Sequence, residues 1–187
     1  MLEMKDIFMN LPTIETNRLL LRKITIEDAE DMFHYGSDEE VSRFVTWDTH
    51  QTLEDTKEFI QFVLTKYENG DLAPWGIVRK ETNELIGTID FVSWHLNHKT
   101  AELGYVIAKK YWGQGIATEA GKEILNYGFK NMNLVRIQAR CFVENGGSER
   151  VMKKLGMSYE GTLRKSMFAK GKHRDLNVYA ILKEEFE

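Results

Sequence analysis

Residues 110–119 read Lys-Tyr-Trp-Gly-Gln-Gly-Ile-Ala-Thr-Glu, and this stretch decides how the rest of the chain is interpreted. Gly113 and Gly115 lie one residue apart, between an apolar segment typical of a strand and an amphipathic segment typical of a helix. Glycines at such a junction let a ligand approach the backbone, and the first N–H groups of a helix have no partner within it. The pattern favours a phosphate site. Because an isolated Gly-x-Gly also fits a plain turn, the flanking segments decide.

Outward from this turn, the spacing of apolar residues switches between the periods of strands and helices. Strands are predicted over residues 18–24, 73–78, 85–94, 99–107, 134–142, 158–163 and 176–182, with a polar turn over 170–175. Helices are predicted from Thr25, from Thr52 to about Gly70, from about Ile116 to Lys130, and from Asn145 to Gly156. This order predicts an α+β fold, with a mostly antiparallel mixed sheet of about seven strands and about four flanking helices.

Composition limits the class of protein. The chain has 187 residues, of which 42% are hydrophobic and 29% charged, as expected for one globular domain. We predict a single domain over residues 15–187, preceded by an extension over residues 1–14. A net charge of −4 gives no basic field for a nucleic-acid partner. No apolar run approaches the roughly 20 residues of a membrane span, and the first residues lack the features of a signal peptide.

Cysteine and histidine usage points to a protein without disulfides or a bound metal. Cys141 is the only cysteine, which excludes an intrachain disulfide and predicts a cytoplasmic location. The five histidines are scattered along the chain without the spacing of metal ligands. No metal site and no oligomeric state are predicted.

Several blocks of sequence follow one another in order around the turn. They are residues 18–22 (Arg-Leu-Leu-Leu-Arg), 101–105 (Ala-Glu-Leu-Gly-Tyr), the glycine turn, 145–148 (Asn-Gly-Gly-Ser) running into 154–157, and the ending from 161 to 179. Together they resemble the GCN5-related N-acetyltransferases (GNAT), and in particular the RimJ/RimL-like branch that acetylates the N-termini of ribosomal proteins. The family turn usually begins with Gln or Arg, whereas this chain has Lys110, a point charge without the guanidinium fork.

The resemblance implies acetyl-CoA as the donor and assigns residues to it. The backbone at the start of the predicted helix is expected to hold the pyrophosphate, through the N–H groups of Trp112, Gly113, Gln114, Gly115, Ile116, Ala117 and Thr118. The pantetheine arm is expected to pair with the backbone of Tyr105, Val106 and Ile107, whose side chains are interpreted as ordinary core. Asn145 either binds the pantetheine amide or caps the helix that follows it.

Transfer of the acetyl group needs a neutral amine and a proton for the leaving thiolate. The resemblance implies Ser148 as the general acid; the alternative is a plain first-turn serine. Glu102 is the candidate base, because it shares a strand face with Gly104 and Val106 by the period of two. Asp90, then His95, and water remain alternatives.

The acceptor is predicted to be a primary amine, with a protein N-terminal α-amino group as one candidate. An α-amino group, with a pKa of about 8, is far more often neutral at pH 7 than a lysine of about 10.4. Alternatives are a small amine, such as a polyamine or an antibiotic, or a CoA-binding module without turnover. A dinucleotide-binding enzyme is discounted because Thr118 stands where a third glycine or alanine is required. The first two helices and the 170–175 turn are expected to determine the acceptor, and Trp47, Trp75 and Trp94 either line its cleft or pack in the core or at the rim.

Overall fold

Helices cover both faces of one mixed sheet in the computed structural model, which describes residues 4–186. The strands are β1 (Ile14–Glu15), β2 (Leu19–Arg22), β3 (Trp75–Arg79), β4 (Glu84–His95), β5 (Thr100–Ile107), β6 (Arg136–Phe142), β7 (Ser158–Ala169) and β8 (Lys172–Leu182). The helices are α1 (Met4–Phe8), α2 (Ala29–Gly36), α3 (Glu39–Ser42), α4 (Leu53–Asn69), α5 (Ile116–Lys130) and α6 (Gly146–Lys154). The strand order is β1-β2-β3-β4-β5-β6-β8-β7.

The predicted α+β fold is confirmed. All neighbouring strands are antiparallel except β5 and β6, so the sheet is mixed and mostly antiparallel. The described chain has eight strands rather than about seven, and six α-helices rather than about four. The additional elements are β1, α1 and α3, which have five residues or fewer and are too short to show a period.

Local sequence signals set the ends of the longer helices. Thr52 and Asp55 form the predicted capping box at the start of α4, and Gly70 ends that helix in the left-handed conformation at φ 70°. Thr25 and Asp28 form the other capping box, ahead of a 3₁₀ turn that leads into α2. These contacts satisfy N–H groups that the helix itself leaves without partners.

The last hairpin is longer than predicted. Strands were expected to end at Leu163 and begin at Leu176, but β7 reaches Ala169 and β8 begins at Lys172. The predicted 170–175 turn is therefore wrong, since the connection is only Lys170-Gly171, with φ values of 53° and 74°. Most side chains of β7 are exposed, because it is an edge strand of the sheet, and its sequence does not alternate between polar and apolar residues.

The described part of the N-terminal segment packs onto the domain. Ile7, Phe8 and Leu11 are buried in the main core. The Phe8 ring lies 6.1 Å from the ring of Trp75, whose indole N–H donates to the Pro12 carbonyl at 2.8 Å. These contacts link the predicted extension to β3 in the sheet.

In the middle of the sheet, β5 and β6 separate. They pair only from Thr100 with Arg136 to Leu103 with Ala139. Beyond this point β5 stays paired with β4 as far as Ile107, and β6 stays paired with β8 as far as Phe142. The sheet therefore contains a wedge-shaped gap between the carboxyl ends of β5 and β6.

Candidate active site

Backbone groups of β5 face this gap without a strand partner. The Lys99 carbonyl accepts from Val135 on the β6 side, and the Ala108 N–H donates to Ile86 on the β4 side, both at 2.8 Å. Because the direction of these groups alternates along a strand, those of Tyr105 and Ile107 face the gap. The backbone of Val106 faces β4 instead, so pairing of a ligand with Val106, as the sequence suggested, is not available.

At the end of β5, the glycine turn exposes a row of N–H groups. Gly113 and Gly115 have φ values of 74° and 77°, which glycine adopts without strain. Within residues 4–186, no hydrogen-bond acceptor lies at the N–H groups from Gly113 to Thr118, and the first bond of α5 joins Glu119 N–H to the Gly115 carbonyl. Trp112 departs from the prediction, because its N–H donates to the Lys109 carbonyl at 3.1 Å. The row of six N–H groups at a helix start fits an anion.

Side chains around the turn hold it from outside. The indole N–H of Trp112 donates to the Ile107 carbonyl at 2.7 Å. The Arg18 guanidinium donates to the Gln114 carbonyl at 3.0 Å and pairs with Glu119 at 2.6 Å. Lys110 points away from the N–H row, since its ammonium lies 3.6 Å from Glu84. Arg18 and Glu119 received no role from the sequence, although both lie in or beside blocks that carry the resemblance.

The start of α6 lies across the gap from β5. The Asn145 side-chain oxygen accepts from the Ser148 N–H at 3.1 Å, so this oxygen caps the helix and the amide nitrogen stays available to a ligand. The Ser148 hydroxyl lies 2.7 Å from the Tyr105 hydroxyl. Burial raises the pKa of Tyr105, which keeps this phenol protonated. The Tyr105 side chain, expected from the sequence to be ordinary core, bridges β5 and α6.

Glu102 is held by partners on β6. Its carboxylate accepts from Arg140 at 2.8 Å and from Gln138 at 3.0 Å, and the residue is only 9% exposed. The predicted face is correct, because Glu102 and Gly104 lie two positions apart on β5. Both hydrogen bonds direct the carboxylate towards β6, so this geometry does not favour Glu102 as a base.

Asp90 lies on β4 directly opposite Gly104. An added Cβ on Gly104 would lie 3.2 Å from the Asp90 Oδ1 atom, so the two positions share one sheet face. Within the described residues, no group donates a hydrogen bond to this carboxylate. Burial raises the pKa of Asp90 to about 7, opposed by the positive charge of Lys66. Asp90 can therefore accept a proton near neutral pH.

A family model described as an acetyltransferase (GNAT) domain matches residues 18–158. The chain belongs to the GNAT family. It is 40% identical over 172 residues to the uncharacterized N-acetyltransferase YoaA of Bacillus subtilis, with 92% of this chain and 97% of the relative covered. A ribosomal-protein-serine acetyltransferase of Escherichia coli is 31% identical over 130 residues, with 70% and 72% covered.

A solved structure supports the same assignment. The crystal structure of a GNAT-family acetyltransferase from Bacillus anthracis is 36% identical to this chain, with a TM-score of 0.83, and the match covers 93% of this chain and 100% of that one. This GNAT domain is an N-acetyltransferase. In the range 4–186 no group of three or more His, Cys, Asp or Glu side chains could hold a metal ion, and none of the helices there could cross a membrane.

A pocket opens on the α2 and α4 side of this GNAT domain, beside the gap. Its walls include Met32, Tyr35, Trp47, His50, Phe59 and Val106, and none of the lining residues is an acid, a lysine or an arginine. Burial lowers the pKa of His50, which keeps its ring neutral. Of the three tryptophans that were candidates for the acceptor cleft, only Trp47 lines this pocket. Trp75 and Trp94 are buried in the core at 0% and 9% exposure.

Replacing Arg18 with Met is expected to weaken donor binding. The variant loses the bond that orients the Gln114 carbonyl, so the N–H row of the turn is held less firmly, and KM for acetyl-CoA should rise about tenfold. We expect kcat to change less than twofold. Arg164→Met is the matched control, because Arg164 is exposed and has no partner among the described residues. Steady-state kinetics at varied acetyl-CoA measure both constants, and equal KM values in the two variants would contradict the assigned role.

Proposed function

We propose that this GNAT domain transfers the acetyl group of acetyl-CoA to a protein N-terminal α-amino group, as a RimJ/RimL-like enzyme. The observation that carries the proposal is the row of free N–H groups at Gly113–Thr118, which leads to the open backbone edge of β5 beside Ser148. When bound, acetyl-CoA supplies the acetyl group as an activated thioester. The single cysteine, Cys141, suits a reducing cytoplasm as the compartment.

The chain offers matching groups to each part of this donor. The N–H groups from Gly113 to Thr118 hold the pyrophosphate at the positive end of α5. The backbone N–H and carbonyl of Tyr105 and the N–H of Ile107 bind the amides of the pantetheine arm in the manner of a neighbouring strand, while the Ile107 carbonyl stays bonded to the Trp112 indole. The Asn145 amide nitrogen donates to the same arm, while its oxygen stays on the Ser148 N–H. The charged phosphates and the polar arm thus both meet unpaired partners.

Ser148 serves as the general acid. As the new C–N bond forms, the C–S bond breaks, and the Ser148 hydroxyl gives its proton to the departing sulfur. Ser148 regains its proton through the hydrogen bond with Tyr105, which takes up a proton from water as it passes one on and so stays protonated, while Asp90 returns the proton of the amine to water. A thiol with a pKa of about 8.5 leaves more readily when it is protonated, so the pair lowers the barrier for release.

Asp90 serves as the base in place of Glu102. It takes the proton that the attacking amine loses, directly or through one water molecule. Three observations support it over Glu102: the absence of a donor to its carboxylate within residues 4–186, its position against Gly104, and its pKa of about 7. Glu102 is held by Arg140 and Gln138 and serves to position β6 against β5.

The pocket chemistry supports an N-terminal amine over a polyamine. A polyamine has several ammonium groups that require carboxylates, and the pocket beside Val106 is lined without any. Its volume is about 30 Å³, so its aromatic walls fit a small apolar first side chain. Around the mouth, Glu40 and Asp48 are paired with Lys109 and Lys170, whereas Asp38 and Glu39 have no ion pair among the described residues. These two acids favour a basic chain behind the first residue.

A second candidate function is that of a CoA-binding module without turnover. The bonded pair of Ser148 and Tyr105 at the gap, and the unpaired Asp90 opposite Gly104, favour catalysis over binding alone. Thiol release separates these functions, because a binding module has affinity for acetyl-CoA and releases no CoA.

The test is an acceptor screen with acetyl-CoA that monitors thiol release and confirms products by mass spectrometry. Peptides with Ser, Ala, Met or Asp at the first position and basic residues behind it are compared with spermidine and an aminoglycoside. We expect peptides with small or apolar first residues to give a kcat/KM at least tenfold above that of spermidine. A higher kcat/KM with spermidine contradicts the acceptor class, and CoA binding without thiol release contradicts the enzyme function.

A further inference from the structure

Lys170, at the tip of the β7–β8 hairpin, contacts the segment that forms one wall of the pocket. Its ammonium donates to the Trp47 carbonyl at 2.5 Å. We propose that Lys170 is a positioning residue for the amine acceptor, which fixes Trp47 so that its indole forms the pocket wall and selects an acceptor with an apolar group beside the amine. This inference rests on the proposed function and names what determines the acceptor specificity of that site.

The segment from α3 to α4 bridges the two sides of the gap. On the β5 side, Glu40 pairs with Lys109 at 2.9 Å, directly after the end of that strand. On the other side, Lys170 binds Trp47. The segment thus crosses the mouth of the gap on the side of the pocket. The side chains of Lys109 and Lys170, which follow it in sequence, hold its two ends.

Between these ties the segment has few fixed points of its own. Residues 43–50 form no helix or strand. The Ser42 and Thr49 hydroxyls lie 2.5 Å apart, and the His50 N–H donates to the Gly36 carbonyl at 3.0 Å. The Trp47 ring packs 5.4 Å from the His50 ring, and the backbone at Trp47 is held by the hairpin, because the Trp47 carbonyl has no donor other than Lys170 among the described residues.

The hairpin tip is a rigid support for this bond. Only two residues connect Ala169 to its strand partner Lys172, so the turn has little conformational freedom. Beneath it lies a small separate core of Phe142, Ala169 and Leu176, against which Phe44 and Met167 pack. The Lys170 side chain is only 22% exposed, whereas Asp48, its carboxylate neighbour at 3.7 Å, is fully exposed. The bond to the Trp47 carbonyl is therefore the contact less weakened by solvent.

The first test compares Lys170→Met with Lys172→Met in kinetics with the acceptor from the screen. Both variants remove one lysine, but Lys172 is exposed and has no partner in the range 4–186. We expect KM for the acceptor to rise about tenfold in Lys170→Met, with kcat and KM for acetyl-CoA within twofold of wild type. Lys170→Arg should restore most of the loss. Equal acceptor KM values in the two methionine variants would overturn the inference.

A double-variant cycle tests whether Lys170 acts through Trp47. In a Trp47→Ala background, the additional Lys170→Met change should raise the acceptor KM less than twofold, because the wall that Lys170 positions is already absent. A tenfold effect in both backgrounds contradicts the role of Trp47. A purely structural role of the hairpin raises KM for acetyl-CoA as well, which separates that outcome from the one proposed.

Limited proteolysis tests the contact without any acceptor. Arg43 is exposed at the start of the unstructured segment, and trypsin cleaves after it. We expect cleavage at Arg43 to be several-fold faster in Lys170→Met than in Lys172→Met, because local opening of the segment costs less free energy. Equal cleavage rates overturn the proposed contact. A wild-type protein that acetylates no amine in the screen contradicts the proposed function, and this measurement still decides the contact.

Discussion

Asp90→Asn is expected to lower kcat about 100-fold, since a general base contributes a factor of 10² to 10⁴. The wild-type kcat/KM should fall as the pH drops below about 7, because Asp90 has its pKa there and must be deprotonated to accept a proton. The Asn variant cannot accept a proton, so the part of this acid limb that belongs to Asp90 should disappear. The acceptor amine, with a pKa of about 8, must still be neutral, so the slope of log kcat/KM below pH 7 should fall from two to one. A pH series of kcat/KM from 5.5 to 9 measures the effect, with circular dichroism to check that the variant is folded.

Glu102→Gln is the matched control for this prediction. It neutralises the other carboxylate on the same sheet face and leaves Arg140 without its ion pair. We expect a lower melting temperature and a kcat within about fivefold of wild type. If this slope falls in Glu102→Gln and not in Asp90→Asn, then Glu102 is the base, as the sequence suggested, and the assignment of Asp90 is wrong.

Stability gives a second readout of Asp90. Its pKa is about 7 in the folded protein and about 3.9 in an unfolded chain. The folded state therefore holds the proton more tightly, and this group makes the protein lose stability as the pH rises from about 4 to about 7. Asp90→Asn removes that loss. The melting temperature of Asp90→Asn minus that of wild type should be more positive at pH 8 than at pH 4, although the variant is less active.

Ser148→Ala is expected to lower kcat about 100-fold with an unchanged Kd for CoA, because the hydroxyl acts on the leaving sulfur and the capping bond uses only the Ser148 backbone. Tyr105→Phe should have a smaller effect, about tenfold, since it removes the partner of the hydroxyl but not the hydroxyl itself. Single-turnover kinetics and calorimetry with CoA measure the two quantities.

The matched control for Ser148 is Ser166→Ala, which removes an exposed hydroxyl on β7 that has no partner in residues 4–186. Its kcat and Kd should equal those of wild type. A Ser148→Ala variant that behaves like Ser166→Ala removes the serine from its proposed role. A variant that loses CoA affinity as well as kcat assigns Ser148 to donor binding instead.

The sequence was most informative where the signal is local. The bounds of α5 and the capping boxes at Thr25 and Thr52 follow from residues within a few positions of one another. The two glycines likewise mark the turn, because their left-handed conformation is a local requirement. Short elements such as α3 contain too few residues for a period, so their presence depends on the packing around them.

The site was predicted less completely, because its pairs lie far apart in the chain. Glu102 is an acid in an apolar strand, which suggested a base, but its partners Gln138 and Arg140 are 36 and 38 positions away on another strand. Tyr105 has the position of a core residue, and only the tertiary fold brings it to Ser148, 43 positions later. The periodicity of apolar residues does not reveal contacts between residues that lie this far apart in the sequence.

The proposed donor site lies in the gap between β5 and β6, where the sheet is incomplete. The chain alone leaves an unpaired edge in the interior of its sheet, where the backbone groups of Tyr105 and Ile107 would otherwise be buried within a continuous ladder. In the proposed complex the pantetheine arm completes that ladder, so binding of the donor also closes the sheet. Each proposed catalytic cycle then ends with the release of CoA, whose pantetheine arm leaves the position of a strand in the sheet. This release, like the chemical step, can limit the turnover rate.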